Sequence, residues 1–537
     1  MTTIRAGSAL RAAPGMHTGR WQAFAGAVAV AASLAVGELA AGVIEGIPSP
    51  LLAVARFLVD IQPPGAKEVV VALFGTNDKA AFQVVILLIA LLVGALVGRL
   101  AVRRPDVASL VIVAFAGAGF AASLREPGVQ ATLALAAAGA EAVIGSMVLQ
   151  RLIRLVPAPG ATAAVAAGRV SANGIDTIDW RRRAILRSGG AIAVGSVVVG
   201  ALGRYLLQQQ QVPPPSTGGS VVPAKPADLP AGADIATADL SSAGLTPIVM
   251  PNADFYRIDT AFVVPTVDRS TWKLKVSGMV DHPVELTFAE LSALPIIEQY
   301  VTIACVSNEV GGNLVGNAKW TGIALRDVLD MAGVQAGADQ LVGHSVDGFT
   351  AGMPVEWVMD QSRTPMIAFE MNGEPLPRAH GYPARLIIPG LYGYVSATKW
   401  LAELELTTFS AFQAFWVPRG WAAKAPILTQ SRIDVPRQGT DLKAGHTPVA
   451  GVAWAPDRGV SKVEVRIDQG DWAPARLSAA ISKATWVQWL YDWEATPGNH
   501  VIEVRATDGT GETQTDQETP PPPDGARGHH RITVAVS

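Results

Sequence analysis

The sequence predicts a multi-domain chain: a five-span α-helical membrane module, a tether, an α+β domain and an all-β, immunoglobulin-like sandwich. Three observations predict this. Half of the residues are hydrophobic but only 6% are aromatic, because Ala, Val, Leu and Gly crowd the first 207 positions. A run rich in Pro, Gly and Ser then fills 208–250. From about residue 424, mixed strands and helices give way to short alternating strands. The formal net charge of −3 argues against nucleic acid as a partner.

Within 1–207, the stretches 21–44, 82–100, 107–124, 129–149 and 189–207 are long and apolar enough to span a bilayer. The intervening 51–74 is broken by Arg56, Asp60, Pro63, Pro64 and Lys67, and reads as an amphipathic or re-entrant segment outside the membrane. Arginines set the orientation. Arg5, Arg11 and Arg20 precede the first span; Arg99, Arg103 and Arg104 follow the second; Arg151, Arg154, Arg169, Arg181, Arg182, Arg183 and Arg187 lie between the fourth and fifth. The N-terminus is therefore expected to be cytoplasmic and everything after the fifth span extracytoplasmic. The first span is not expected to be a cleaved signal peptide. Arg182-Arg183 before the weakly hydrophobic, Gly-rich 188–203 resembles a twin-arginine (Tat) export signal, and also fits ordinary positive-inside charge. Glu38, Glu45 and Glu141 fall within or at the ends of spans, and three roles fit them: proton relay, quinone contact, or pairing with a polar neighbour. No histidine lies in a span and no Cys-x-x-Cys-His occurs, so no intrinsic haem is expected.

The 208–250 stretch, with Pro213 to Pro215 and Pro223, Pro226 and Pro230, reads as a flexible to extended tether. The α+β domain is assigned to 251–423. Its strand Trp272-Lys-Leu-Lys-Val alternates, Thr287-Phe-Ala-Glu290 fits a capping box, and a helix is predicted over 324–332. The sandwich is assigned to 424–537, with Pro520 to Pro523 as a local loop.

Cys305 is the sole cysteine, so an internal disulfide and four-cysteine zinc or iron–sulfur sites are excluded. It follows an apolar run (Val301, Ile303, Ala304), where a buried strand opens into a loop. A thiolate there is a soft metal ligand; the plain alternative is a small buried hydrophobe.

Five segments around it carry a resemblance. They are Asp254-Phe255-Tyr256-Arg257 with Val264-Pro265; Cys305-Val-Ser-Asn308 with Lys319-Trp320 and Gly322; Ser345-Val-Asp347-Gly-Phe349; Asn372-Gly-Glu-Pro with His380-Gly-Tyr-Pro-Ala-Arg385 and Lys399-Trp400; and Pro426-Ile with Gln430-Ser431. In this order they resemble the sulfite oxidase family of molybdopterin-dependent oxidoreductases, over more than half of the chain. The resemblance implies a molybdenum–molybdopterin cofactor ligated by Cys305. It implies a pterin phosphate held by Arg385 and Lys399, with Ser396 and backbone N–H groups of 390–399 adding to the cradle. It also implies His380 at the pterin or phosphate, Asp347 bordering the metal pocket, and Phe255, Tyr256, Arg257, Ser307 and Asn308 lining the cofactor. The sandwich is implied to be the dimerisation-type domain.

The pattern also departs from the family. Sulfite-oxidising members carry an arginine five positions after the cysteine, where this chain has Val310. They carry an Arg-Asn-His stretch where this chain has Ile258-Asp259-Thr260-Ala261. The Arg385–Lys399 segment is about one residue longer, and Arg419 is a remaining candidate for a pocket charge. A membrane-anchored extracytoplasmic molybdoenzyme transferring an oxygen atom to or from a small substrate is expected. Methionine sulfoxide or another S- or N-oxide fits as well as sulfite. Electrons would pass to or from a cytochrome or quinone-linked protein. A cofactor-free binding or adhesion module is the reading of a different class.

Overall fold

The computed structural model describes residues 18–62, 78–126, 129–156, 172–210, 238–240, 242 and 244–537. The chain forms two compact units, 1–213 and 214–537. The 211–237 part of the predicted tether lies outside the described residues, as do Arg5, Arg11, Lys67 and Arg169.

The first unit contains α1 (Thr18–Val43), α2 (Pro50–Asp60), α3 (Asp78–Ala101), α4 (Pro105–Ser123), α5 (Ala131–Leu155) and α6 (Ala172–Gln210). Among the described residues, five helices are long and apolar enough to cross a membrane: Gly19–Val43, Lys79–Ala101, Pro105–Ser123, Ala131–Leu155 and Arg183–Gln209. Each overlaps one of the five apolar stretches of the sequence. The eleven-residue α2 is too short to span. It starts at Pro50, with Ser49 accepting from Leu52 N. Helix α1 is central and packs on α3, α5 and α6. Small residues make this possible. A Cβ on Gly26 would lie 1.9 Å from Gly94 O, and one on Gly42 2.2 Å from Gly203 O, so the backbones themselves touch.

The three acids separate in role. Glu38 is buried and accepts from Ser49 Oγ (2.6 Å) and Leu51 N (3.3 Å), while Arg204 Nη1 reaches its Oε2 at 3.5 Å. Arg204 also donates to Gln83 Oε1. Glu38 thus pairs with polar neighbours from two other segments of the chain, 49–51 and Arg204. Glu141 is buried with its carboxylate against the backbone of Gly37. Glu45 is exposed in the turn after α1.

The second unit opens with β1 (Lys273–Gly278), β2 (Val284–Thr287), α7 (Phe288–Ser292), β3 (Ile296–Ala304), β4 (Val315–Ala324) and α8 (Leu325–Ala332). It continues through β5 (Gln340–Ser345), β6 (Thr350–Pro354), α9 (Val355–Met359), β7 (Met366–Met371), β8 (Glu374–Pro375), β9 (Arg385–Ile387), α10 (Gly393–Ser396) and β10 (Leu401–Thr407). One sheet runs β2-β1-β10-β5-β6 and another β3-β4-β7-β8, with β9 paired to β7. The capping box forms: Thr287 Oγ1 accepts from Glu290 N, and Glu290 Oε2 from Thr287 N (2.8 Å). Helix α8 falls within the predicted 324–332.

The strands that follow are β11 (Gln430–Val435), β12 (Asp441–Leu442), β13 (Gly445–Trp454), β14 (Val460–Ile467), β15 (Ala473–Pro474), β16 (Arg476–Leu477), β17 (Val487–Ala495), β18 (Gly498–Asp508) and β19 (His530–Val536). They form sheets β11-β13-β17-β16 and β12-β19-β18-β14-β15. Alternate residues of both sheets, including Val449, Val465, Trp489, Val504 and Val534, fill one core between them. Trp454, Ile481 and Trp486 instead join the core of the preceding sheets, alongside Leu391, Tyr392 and Trp421. The two parts of this unit are therefore fused through apolar contact rather than strung together.

The folded unit also begins earlier than position 251. Gln488 Oε1 accepts from Leu240 N (2.7 Å), and Ile248 O accepts from both Trp486 Nε1 (2.8 Å) and Asn317 Nδ2 (2.7 Å). The last residues of the 208–250 stretch are thus fixed by buried side-chain donors and acceptors.

Candidate functional site

Strand β3 ends at Ala304, and its last four residues are fully buried. Cys305 follows directly, 7% exposed, with its N–H donating to Leu314 O at 2.9 Å. The loop 305–314 is braced from within: Asn308 Oδ1 accepts from Leu314 N (2.8 Å), and the Cys305 thiol donates to Ser307 Oγ (3.5 Å). It is braced from outside as well. Arg432 Nη1 donates to Gly312 O (2.9 Å), and the His530 ring lies against Gly311. Burial, then Arg432, holds the His530 imidazole down at about 4, so it is neutral at physiological pH and accepts from Ile433 N at 3.0 Å.

A basic cluster lies beside this loop. Arg385 opens β9 and is 2% exposed; its Nη1 donates to His380 O (3.0 Å), its guanidinium lies 4.9 Å above the Trp320 ring, and its Nε has no partner among the described residues. Burial pulls Arg385 down to about 10. Lys399 Nζ donates to Ala379 O (3.0 Å) and pairs with Asp259 Oδ2 (3.1 Å), which also accepts from Arg257 Nε (2.9 Å). Gly381 makes the juxtaposition possible: at φ 112°, a Cβ there would lie 3.1 Å from both Arg385 Cβ and Lys399 Cα. His380 is buried, and burial followed by Arg385 and Lys399 lowers it to about 4, so it is a neutral hydrogen-bonding group. Two cations, Arg257 and Lys399, thus share the Asp259 carboxylate, and among the described residues the buried Arg385 beside them has no carboxylate partner.

Tyr256 connects the two halves. Burial pushes its phenol well above the ordinary range; the Cys305 sulfur adds to that and Arg385 works against it, so both lie within electrostatic reach of the hydroxyl. Phe255 stacks on Tyr256 (5.3 Å) and meets Trp320 and His380 edge-on at 5.9 and 5.7 Å. The predicted residues Phe255, Tyr256, Arg257, Cys305, His380, Arg385 and Lys399 are therefore gathered in one region.

Others stand differently. Ser396 Oγ donates to the carbonyls of Leu391 and Tyr392 (3.1 and 3.0 Å), so its hydroxyl is engaged by its own turn. Asp347 is buried in the β5–β6 turn, where Oδ1 accepts from Phe349 N (3.2 Å), and Val346 N ties that turn to Trp400 O at 2.8 Å. Arg419 stacks on Phe415 (3.8 Å), which in turn contacts Phe349 (5.6 Å). This places Arg419 on the Asp347 side of the site.

The geometry fits a bound anion. A buried, desolvated guanidinium without a carboxylate, beside a second buried cation, is costly unless a negative group joins it. A planar fork and a point charge together suit a phosphate.

Comparisons with known proteins agree with this chemistry. Residues 261–416 match the oxidoreductase molybdopterin binding domain family. The uncharacterized oxidoreductase YuiH of Bacillus subtilis is 34% identical over 154 residues, covering 29% of this chain and 74% of that protein. The chain belongs to the sulfite oxidase family of molybdopterin-dependent oxidoreductases. Within that family, human mitochondrial sulfite oxidase is 28% identical over 320 residues, covering 51% of this chain and 58% of its relative. The chain thus spans little more than half the length of that curated family member. The sulfane dehydrogenase SoxCD of Paracoccus pantotrophus overlays 56% of this chain and 85% of its own, with 22% identity and a TM-score of 0.46.

Two residues near the family site escaped the sequence reading. Asp259 occupies the segment where an Arg-Asn-His stretch is absent, and partners Lys399. Tyr392 is buried, its phenol raised first by burial and further by the Cys305 sulfur, and its hydroxyl abuts Gly525 of the Pro520–Pro523 loop region. An acid two residues after Arg257 was the available signal for the first; nothing local marked the second.

Lys399 also provides a pH test. Burial, only partly offset by Asp259, pulls it down to about 8 from 10.5. Between these values the unfolded chain binds the proton and the folded chain does not, so stability rises with pH across that window. Denaturant midpoints of cofactor-free protein should rise over that window in wild type and rise less in Lys399→Met. Equal slopes would mean that Lys399 is not desolvated.

Proposed function

We propose that this chain is a membrane-anchored, extracytoplasmic molybdoenzyme performing two-electron oxygen-atom transfer on a small substrate. The observation that carries the reading is the buried Arg385, without a carboxylate partner among the described residues, beside Lys399 and with Tyr256 near both it and the buried Cys305. When bound, the molybdenum–pterin supplies the oxygen-atom chemistry. Cys305 would be the protein ligand to the metal. Arg385 and Lys399 would hold the pterin phosphate, and neutral His380 would orient it by hydrogen bonding. Phe255, Tyr256 and Trp320 form an apolar and aromatic wall that excludes water from that side. Asp347, Ser307 and Asn308 would border the metal pocket.

The absence of added positive charge bears on the substrate. Val310 follows the cysteine, and Asp259 neutralises part of the basic cluster. This favours a neutral oxide over a dianion such as sulfite. Reduction of an S-oxide consumes two electrons and two protons and releases the sulfide and water. The electrons would come from a cytochrome or a quinone-linked protein. The arginine distribution supports a cytoplasmic N-terminus, and the Arg182-Arg183 pair at the start of the fifth span supports export of the folded domain by the twin-arginine route. An immunoglobulin-like terminal sandwich as a homodimer contact completes the reading.

The test is the molybdenum and pterin content of the full chain purified in detergent from a host competent in molybdenum cofactor synthesis. Stoichiometric metal and pterin, with turnover of methionine sulfoxide exceeding that of sulfite, is expected. Metal-free and pterin-free protein from such a host overturns the enzyme reading. Sulfite turnover exceeding that of every oxide overturns the substrate preference.

A further inference from the structure

We propose that the membrane unit binds an acidic phospholipid in a groove between α5 and α6, with its phosphate on Arg151 and Arg187. This rests on the membrane-spanning reading of the five apolar helices. A cavity of about 700 Å³ opens between the two helices. Its wall on α5 is Ile144, Met147 and Val148, and its wall on α6 is Ala191 and Ile192. Arg151, Arg187 and Ser188 complete the lining. Consecutive spans cross a bilayer in opposite directions, so on the spanning reading Arg151, past the apolar residues of α5, and Arg187, before those of α6, fall at the same end. The cavity is therefore polarised, cationic at one end and apolar along the rest, and about two helical turns separate Ile144 from Arg151.

The groove lies between two helices that dock mainly on α1 and touch each other over a smaller area. Gly189 lets α6 seat against the Phe24 ring, to which a Cβ would approach within 2.5 Å. Among the described residues, neither Arg151 nor Arg187 has a carboxylate partner, and Ser188 adds a hydroxyl at the same end. Two guanidinium forks and a hydroxyl match a phosphate diester, and the apolar wall matches an acyl chain. Charge complementarity selects an acidic headgroup over a zwitterionic one.

The full chain is tested in three arms. Carbonate washing of the membranes comes first: a chain released by carbonate overturns the spanning reading, whereas a retained chain leaves it intact whatever the lipid result. Delipidated protein is then offered dioleoyl-phosphatidylglycerol or dioleoyl-phosphatidylcholine, with retained lipid measured by native mass spectrometry, and with inorganic phosphate as competitor. Wild type should retain phosphatidylglycerol, not phosphatidylcholine, and phosphate should not displace it. Arg151→Gln/Arg187→Gln should lower retention roughly 30-fold, at about fivefold for each arginine. Ala191→Phe, which leaves both arginines in place and fills the apolar groove, should lower it too. Arg151→Lys/Arg187→Lys, which keeps the charge, should retain the lipid. Equal retention of the two lipids, displacement by phosphate alone, or wild-type retention by Ala191→Phe would overturn the site.

Discussion

Cys305→Ser should emerge folded but with molybdenum retention reduced by more than the roughly 10–100-fold that loss of an outer partner costs a metal site. The substitution changes one atom. The loop around it is held by the Cys305 N–Leu314 O bond, the Asn308 carboxamide and the Arg432 guanidinium, none of which uses the sulfur. The melting temperature of the cofactor-free variant should therefore match that of cofactor-free wild type. What changes is the donor. A thiol ionises readily and is a soft, charge-donating ligand, whereas a serine hydroxyl is hard and almost never ionised near neutral pH. Metal analysis and pterin fluorescence on the two proteins check this side by side. Full metal content in the serine variant would mean that the sulfur is only a small buried hydrophobe.

Arg385→Met should separate stability from cofactor retention, moving them in opposite directions. The guanidinium is buried with no carboxylate partner among the described residues, and burial lowers it from 12.5 to about 10. Below about pH 10 the folded chain holds a desolvated charge, which disfavours folding by up to about 3 kcal/mol relative to a neutral group. Methionine matches the length of the stem and can keep the packing on Trp320. The cofactor-free variant should then melt higher than cofactor-free wild type at neutral pH, although the bond to the His380 carbonyl is lost. The same variant should lose pterin, because its anionic end loses the fork. A variant that melts lower and still retains pterin would show that Arg385 serves the apolar core, not an anion.

The features legible in the sequence were those written locally. The five long apolar helices follow from unbroken apolar length, the capping box from four consecutive residues, and the cysteine at a strand end from the run before it. The grouping of His380, Arg385 and Lys399 lies within twenty positions and was visible as a pattern. What was hidden was made by distant pairs. Asp259 meets Lys399 across 140 residues, and Arg204 meets Glu38 across 166. Residues 240–248 look like tether by composition, yet their hydrogen bonds go to partners 238 and 248 positions away, which no window along the chain can reveal. Ser396 had the right residue type for a phosphate cradle, but a short helix with carbonyls facing its hydroxyl captured it first.

The two outside braces of the Cys305 loop have a consequence in time. Gly312 is held by Arg432, and Gly311 rests on His530 in the last strand. A ribosome makes the loop well before it makes either support, and His530 is among the final residues of the sequence given. Until that strand is synthesised and paired, the loop that carries the cysteine stands without its outer buttress. The nascent chain therefore passes through a stage in which the loop has only its internal bonds, and that stage closes when β19 docks.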